Sequence, residues 1–198
     1  MATVRSSPPR DVREPDGWAG ALEATSSRNG KRRISCIMAA SNAVDALRRV
    51  VPELSAALSA SGHDWELVVV DVASIDHSST VLRSWCRLPG YRLIELDEPV
   101  PHQRAIRLGL EDARGDAVLL LEARVDQPLH LVRDMIQRWD AGHRLVYATR
   151  ESAVGQGALH SIGVADGRAR YDLHAGAGTD RAATLVLVDR ELVRALLR

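Results

Sequence analysis

Glu66-Leu67-Val68-Val69-Val70-Asp71 sets four consecutive apolar residues between two carboxylates. A strand with one wet face would alternate apolar and polar positions. This uninterrupted run predicts instead a central parallel strand buried on both faces. Upstream, Ile34-Ser35-Cys36-Ile37-Met38-Ala39-Ala40 reads as a first short apolar strand. Val44, Leu47, Val50, Val51, Leu54 and Leu58 then recur at helical spacing to about residue 60, with Gly62 placed as the stop.

Downstream, the same alternation continues. A helix is expected from about Ser78 to Trp85, and a strand over Tyr91-Arg92-Leu93-Ile94-Glu95-Leu96. Gln103 to Ala113 reads as a helix, and Arg114-Gly115-Asp116 turns into the strand Ala117-Val118-Leu119-Leu120-Leu121-Glu122. Leu131, Val132, Met135, Ile136 and Trp139 line one helical face, followed by Gly142 and the strand Leu145-Val146-Tyr147-Ala148-Thr149. Strand and helix thus alternate from 34 to 149, which predicts an α/β fold with a mainly parallel sheet and helices on both faces. Residues 150–181 are Gly-rich and less apolar, and read as a long irregular loop with a hairpin around Asp166-Gly167. Ala183 to Val188 supplies a last strand and Arg190 to Leu197 a last helix.

Residues 1–31 stand apart. Ser6-Ser7-Pro8-Pro9, Pro15-Asp16-Gly17 and Ser26-Ser27-Arg28-Asn29-Gly30 are linker chemistry, so a mobile tail is expected, with one short helix over Trp18 to Ala24. Lys31-Arg32-Arg33 reads as a solvated strand entrance. Residues 32–198 are expected to form a single domain, since 198 residues suit one core better than two.

Lys+Arg and Asp+Glu are both 26, so no net basic field favours nucleic acid or an acidic membrane. Phe is absent, which leaves the core to Val, Leu, Ile and Ala. The two cysteines, Cys36 and Cys86, lie in apolar patterns outside any CxxC arrangement and read as reduced thiols. The N-terminus has no signal-peptide core, and no apolar run reaches the roughly 20 residues that span a bilayer. A soluble, cytoplasmic protein without a transmembrane segment is the expectation.

In an open parallel sheet, ligands gather beyond the carboxyl ends of the strands, where helix N-termini and loop amides favour phosphate groups. That rule nominates Asn42, Asp71 to Asp76, the 97–103 loop and Glu122 to Asp126. No GxGxxG follows the first strand, no GxxxxGK[ST] occurs and no GxSxG occurs, which argues against a dinucleotide Rossmann domain, a P-loop NTPase and an α/β-hydrolase. The stretch Ala39 to Asp45 lacks the Gly-rich, Arg/Lys-bearing loop of a nucleotidyltransferase.

Five stretches in order are Ala39-Ala40-Ser41-Asn42-Ala43, Val70-Asp71-Val72-Ala73-Ser74-Ile75-Asp76-His77-Ser78, Gly109-Leu110-Glu111-Asp112-Ala113-Arg114-Gly115-Asp116, Glu122-Ala123-Arg124-Val125-Asp126-Gln127-Pro128 and Val146-Tyr147-Ala148-Thr149-Arg150. Together they resemble the motif series of family 2 glycosyltransferases of the GT-A, Rossmann-like fold. The nearest resemblance is to the subset that makes polyprenyl-phosphate sugars, of the dolichol-phosphate mannosyltransferase type. That family has Pro-x-Tyr-Asn-Glu, then Val-Asp-Asp-Gly-Ser-x-Asp-x-Thr; the subset adds Gly-Leu-x-x-Ala-x-Gly-Asp, Asp-Ala-Asp-Leu-Gln-Asp-Pro-Pro and Val-Tyr-Gly-x-Arg at the corresponding places.

The resemblance implies a nucleoside-diphosphate sugar as ligand and transfer of its sugar to an acceptor. It implies that Asp71 meets the nucleobase, with Asn42, Ser74 and Asp76 beside it, and that Glu122, Arg124 and Asp126 face the diphosphate or a divalent metal, Mg or Mn. Asn42, Ser74 and Asp76 have a second reading as helix caps, and Asp71 as a cap of its loop. The family's next Asp is Val72 here, the Glu after its first-strand Asn is Ala43, and the second member of its metal-holding Asp-x-Asp is Arg124. Arg124 cannot ligate a metal; it can pair with a phosphate or with Glu122 or Asp126. Asp126, Asp172 and Asp180 are candidates for the catalytic carboxylate, and His102 and His130 can flank the site or lie on the surface. The loss of acidic positions leaves a second reading, a catalytically inactive homologue acting as a binding or interaction module, with itself or a partner transferase.

Overall fold

The computed structural model describes residues 2–5, 31–151, 159–165 and 183–196. Among them the strands are β1 (Ala2–Arg5), β2 (Arg33–Ala40), β3 (Asp64–Val72), β4 (Tyr91–Leu96), β5 (Ala117–Glu122), β6 (Leu145–Glu151), β7 (Leu159–Ala165) and β8 (Ala183–Asp189). The helices are α1 (Val44–Ser59), α2 (Ser78–Trp85), α3 (His102–Asp112), α4 (Val132–Asp140) and α5 (Arg190–Leu196), with a 3₁₀ turn at Leu129–Leu131. One sheet runs in the order β1-β4-β3-β2-β5-β8-β6-β7.

The ladders β4-β3-β2-β5 are parallel, as the alternation of strands and helices requires. The periphery adds antiparallel strands to this parallel centre. β8 inserts antiparallel between β5 and β6, and β7 pairs antiparallel with β6, so the whole sheet is mixed. An apolar run carries no information about strand direction, which is why the last strand was legible and its orientation was not.

Two further readings change. Residues 2–5, expected within a mobile tail, pair antiparallel with β4 as an edge strand. Residues 159–165, expected within an irregular loop, form β7. Its Gly163 lies under the Tyr147 ring, where an added Cβ would collide with ring carbons. The segment Trp18 to Ala24 and the turn at Asp166-Gly167 lie outside the described residues.

The two faces of the sheet hold separate cores. Cys36, Met38, Ala40, Leu67, Val69, Leu119 and Leu121 point to the α1, α2 and α4 side. Ile37, Ala39, Val68, Val70, Val118 and Leu120 point to the α3 and α5 side. On α1, Leu47, Val50, Val51, Leu54 and Leu58 are all buried, each contributing about 1.5–3 kcal/mol by leaving water. Cys36 is buried and Cys86 half-buried, both as free thiols. Burial, with Glu95 nearby, pushes the Cys86 thiol up to about 12, so it stays protonated at neutral pH.

The amino edge explains the third motif without any ligand. Gly109 lets α3 approach β2, since a Cβ there would stand 2.5 Å from Ile37 Cγ2. At Gly115 a Cβ would stand 2.5 Å from the Ser35 backbone nitrogen. Asp116 accepts from the Arg33 amide at 2.8 Å, and buried Glu66 accepts from Ser35 Oγ at 2.5 Å and the Arg114 amide at 2.7 Å. The Arg92 guanidinium bridges Glu66 and Asp112. Arg32, exposed as expected of a solvated strand entrance, also lies 3.9 Å from the centre of the Trp139 ring and pairs with Asp140, which meets His63 Nε2 at 3.0 Å.

Candidate functional site

The carboxyl ends of β2, β3, β4 and β5 meet at one edge, and the register there decides which side chains can share a ligand. Ala40 of β2 pairs with Asp71, and Ala39 pairs with Glu122. Neighbours across a parallel ladder point to the same face, and successive residues to opposite faces. Asp71 therefore turns with Ala40 toward α1 and α2. Glu122 turns with Ala39 to the other face, where α3 begins: its Oε1 lies 3.8 Å from His102 Nε2. At the carboxyl end of β3 the residue that shares the Glu122 face is Val72, next along that face after Val68 and Val70.

Asp71, which the resemblance sets at the nucleobase, is held within its own loop in this structure. Asp71 is 2% exposed, and its two carboxylate oxygens accept hydroxyl bonds from Ser74 and Ser79, each at 2.5 Å. A carboxylate out of water needs such donors, and both oxygens of Asp71 hold the β3–α2 loop.

The other residues expected at the nucleotide build the same lock. Asn42 Oδ1 accepts from the Ile75 amide and the Asn42 amide donates to Ser74 Oγ, both at 2.9 Å. Ser41 Oγ donates to the Val72 carbonyl at 3.0 Å. Asp76 accepts from the Ser78 amide at 2.8 Å and from the Val44 amide at 3.3 Å, so one carboxylate serves the N-termini of α2 and α1. The Ser78 interaction, with the backbone amides behind it, holds the Asp76 carboxyl below the usual aspartate range. The helix-capping reading thus fits Asp76, whereas Asn42 and Ser74 bond loop amides that precede the two helices. The geometry has a strained point: Asn42 and Ala73 both have φ near +49°. Asn tolerates the left-handed region. Ala73 does not, at about 1–2 kcal/mol, and it stands where the resembling motif has Gly.

On the opposite face of the sheet edge, the β5 loop carries a charged cluster. Arg124 forks onto Asp126, with Nε to Oδ1 at 3.1 Å and Nη2 to Oδ2 at 3.2 Å. Its Nη1 stands 3.9 Å from Glu122 Oε2. These side chains are 58%, 47% and 40% exposed, in the order Arg124, Asp126, Glu122. Of the readings of Arg124 left open by the sequence, pairing with Asp126 is the one the structure adopts; that hydrogen bond and the Asp126 charge raise the guanidinium's pKa further.

A divalent cation needs hard oxygens converging on one point. Here both Asp126 oxygens face a guanidinium, and among the described residues no group of three His, Cys, Asp or Glu side chains converges. Among the described residues, this loop does not present the converging oxygens that Mg or Mn takes.

The His130 ring meets that of His160, edge to face at 6.4 Å between centroids. Asp172 and Asp180 lie outside the described residues. Sequence reasoning missed that position 72, not 71, shares a face with position 122. The period of two along a strand carries that signal, since 71 and 72 must point to opposite sides.

The mixed sheet with a parallel centre, helices on both faces and a polar loop cluster beyond its carboxyl edge agrees with a GT-A-type fold, which the family match and a solved neighbour support. Residues 35–163 match the family described as glycosyl transferase family 2, and the chain belongs to that family. Among curated relatives, the uncharacterized glycosyltransferase YkcC of Bacillus subtilis is 32% identical over 94 residues, covering 47% of this chain and 29% of its own. The undecaprenyl-phosphate 4-deoxy-4-formamido-L-arabinose transferase of Edwardsiella ictaluri is 28% identical over 120 residues, covering 60% of this chain and 37% of its own. The chain thus spans about a third of the length of these curated relatives. The mannosyltransferase PcManGT of Pyrobaculum calidifontis, solved in complex with GDP-Man and Mn2+, shares the fold with a TM-score of 0.53 at 18% identity, covering 88% of this chain and 49% of its own. No helix among the described residues is long and apolar enough to cross a membrane.

Proposed function

We propose that this chain is a nucleotide-sugar-binding unit that transfers a hexose-type sugar from a nucleoside diphosphate to an acceptor. The observation that carries the reading is the exposed Glu122-Arg124-Asp126 loop, which meets the start of α3 at the carboxyl edge of the sheet, within the stretch that matches glycosyl transferase family 2. In this reading the ligand lies on the α3 face. Val72, Glu122 and His102 border it, Arg124 meets the diphosphate, and Asp126, released from Arg124, is the acid–base candidate. Asn42, Asp71, Ser74 and Asp76 are positioning residues that hold the two loops beneath it. The unpaired thiols agree with a cytoplasmic placement, which belongs to the same proposal.

The fold of PcManGT, a protein solved with GDP-Man, supports the ligand class through architecture alone. Calorimetric titration of the purified chain with UDP, GDP and their sugars, each with Mn2+, with Mg2+ and with chelator, is the test. Heat of binding from at least one sugar nucleotide is the expected result, and silence across the panel sinks the reading. A second reading, a catalytically inactive binding module, is favoured by one observation: Arg124 holds both oxygens of Asp126. Sugar transfer by the purified chain, lost on Asp126→Asn with binding intact, would exclude it.

A further inference from the structure

We infer that this chain binds the diphosphate of its ligand without a divalent cation, using the Arg124 guanidinium as the counter-charge. The inference rests on the proposal above that a nucleoside diphosphate occupies the α3 face. Its ground is the mismatch between the loop and a metal. The solved neighbour carries Mn2+, whereas here a guanidinium stands in the β5 loop between two carboxylates, 3.9 Å from Glu122 and forked onto Asp126.

Charge decides between the two modes. A dication held by two carboxylates presents no net charge of its own, yet places positive charge at the phosphates. Glu122, Arg124 and Asp126 together sum to −1, and the counter-charge open to a phosphate is the guanidinium, the most exposed of the three at 58% against 47% for Asp126 and 40% for Glu122. A dication added beside Arg124 would meet a like charge, and of the loop's two carboxylates only Glu122, set 3.9 Å from Arg124 and 3.8 Å from His102, is not forked onto the guanidinium. A guanidinium, by contrast, matches two phosphate oxygens with two parallel N–H donors in the fork that it now offers Asp126. Phosphate and the Asp126 carboxylate therefore compete for the same face of Arg124. Asp126 keeps the guanidinium aimed while the ligand is away, and must let go when a phosphate arrives. His102, 3.8 Å from Glu122 at the first turn of α3, adds a second donor at the same place.

The experiment is calorimetric titration of the full chain with inorganic pyrophosphate, UDP and GDP, in chelator and in Mn2+. Wild type, Arg124→Gln, Asp126→Asn and Arg124→Asp are compared, with circular dichroism confirming that these exposed-site variants stay folded. Binding in chelator within about twofold of that in Mn2+ is expected, with Arg124→Gln weaker by about tenfold or more, Asp126→Asn several-fold tighter, and Arg124→Asp dependent on Mn2+. Wild-type binding that requires Mn2+ and ignores Arg124→Gln overturns the inference and leaves the proposed function standing. Pyrophosphate bound in chelator with neither nucleotide bound sustains the inference and sinks the proposed function. No binding of any probe in either condition overturns both.

Discussion

Replacing Asp71 by Ala should unfold the protein more readily without removing a ligand contact. The carboxylate is 2% exposed and accepts two short hydroxyl bonds, from Ser74 and Ser79. Each hydrogen bond to a charged group contributes about 1.5–3 kcal/mol, so about 3–6 kcal/mol of interaction is lost. Part is offset because a carboxylate no longer has to be held out of water. A net loss of about 2–4 kcal/mol is expected. Asp71→Asn keeps the shape and one good acceptor, and should cost about half as much. Ser79→Ala should cost about 1–2 kcal/mol, and the Asp71/Ser79 double variant less than the sum of the two, because they share one interaction. Urea unfolding followed by fluorescence reads these values from the midpoints. A midpoint for Asp71→Ala equal to that of wild type, with nucleotide binding abolished, would refute the reasoning and return Asp71 to the ligand.

Ala73→Gly should stabilise the protein by about 1 kcal/mol, seen as a higher melting temperature, because glycine adopts a φ of +49° without the clash that Ala73 bears. Gly115→Ala should cost about 3 kcal/mol in the same assay, since its Cβ would fall 2.5 Å from the Ser35 nitrogen and 2.8 Å from the Ala117 oxygen, both backbone atoms that cannot step aside. The Asp76 carboxyl is held below its ordinary value near 3.8, so its contribution to stability is present above that value and is lost as pH falls through its folded-state value. Acid titration of stability should therefore show a shallower loss below pH 4 in Asp76→Asn than in wild type, and parallel curves would contradict the double cap.

Most of the fold was legible because the periodicities are strong. The helical spacing from Val44 to Leu58, and the apolar runs at 34–40, 66–71 and 117–122, fall within α1, β2, β3 and β5. What failed has physical causes. Leu159 to Ala165 carries a glycine and weak alternation, and becomes a strand through pairing with β6 and the packing of Gly163 under Tyr147. Residues 2–5 are ordered by the edge of β4, a tertiary effect that no local pattern encodes. For the site, the nominated residues do gather at the carboxyl edge of the sheet, but a motif read as a string hides which face each residue takes. Asp71 and Glu122 are conspicuous in sequence and sit on opposite sides of the sheet. Arg124 was visible as a departure; that it forks onto Asp126 depends on the turn after β5, closed by the Arg124 amide donating to the Glu122 carbonyl at 2.9 Å.

Hydrogen exchange with saturating sugar nucleotide reads most directly where a ligand sits. Slowed exchange in the 97–104 and 122–128 segments, with α2 unchanged, is the outcome expected of a ligand on the α3 face. Protection confined to α1 and α2, around the inward Asp71, or no protection anywhere, would contradict it.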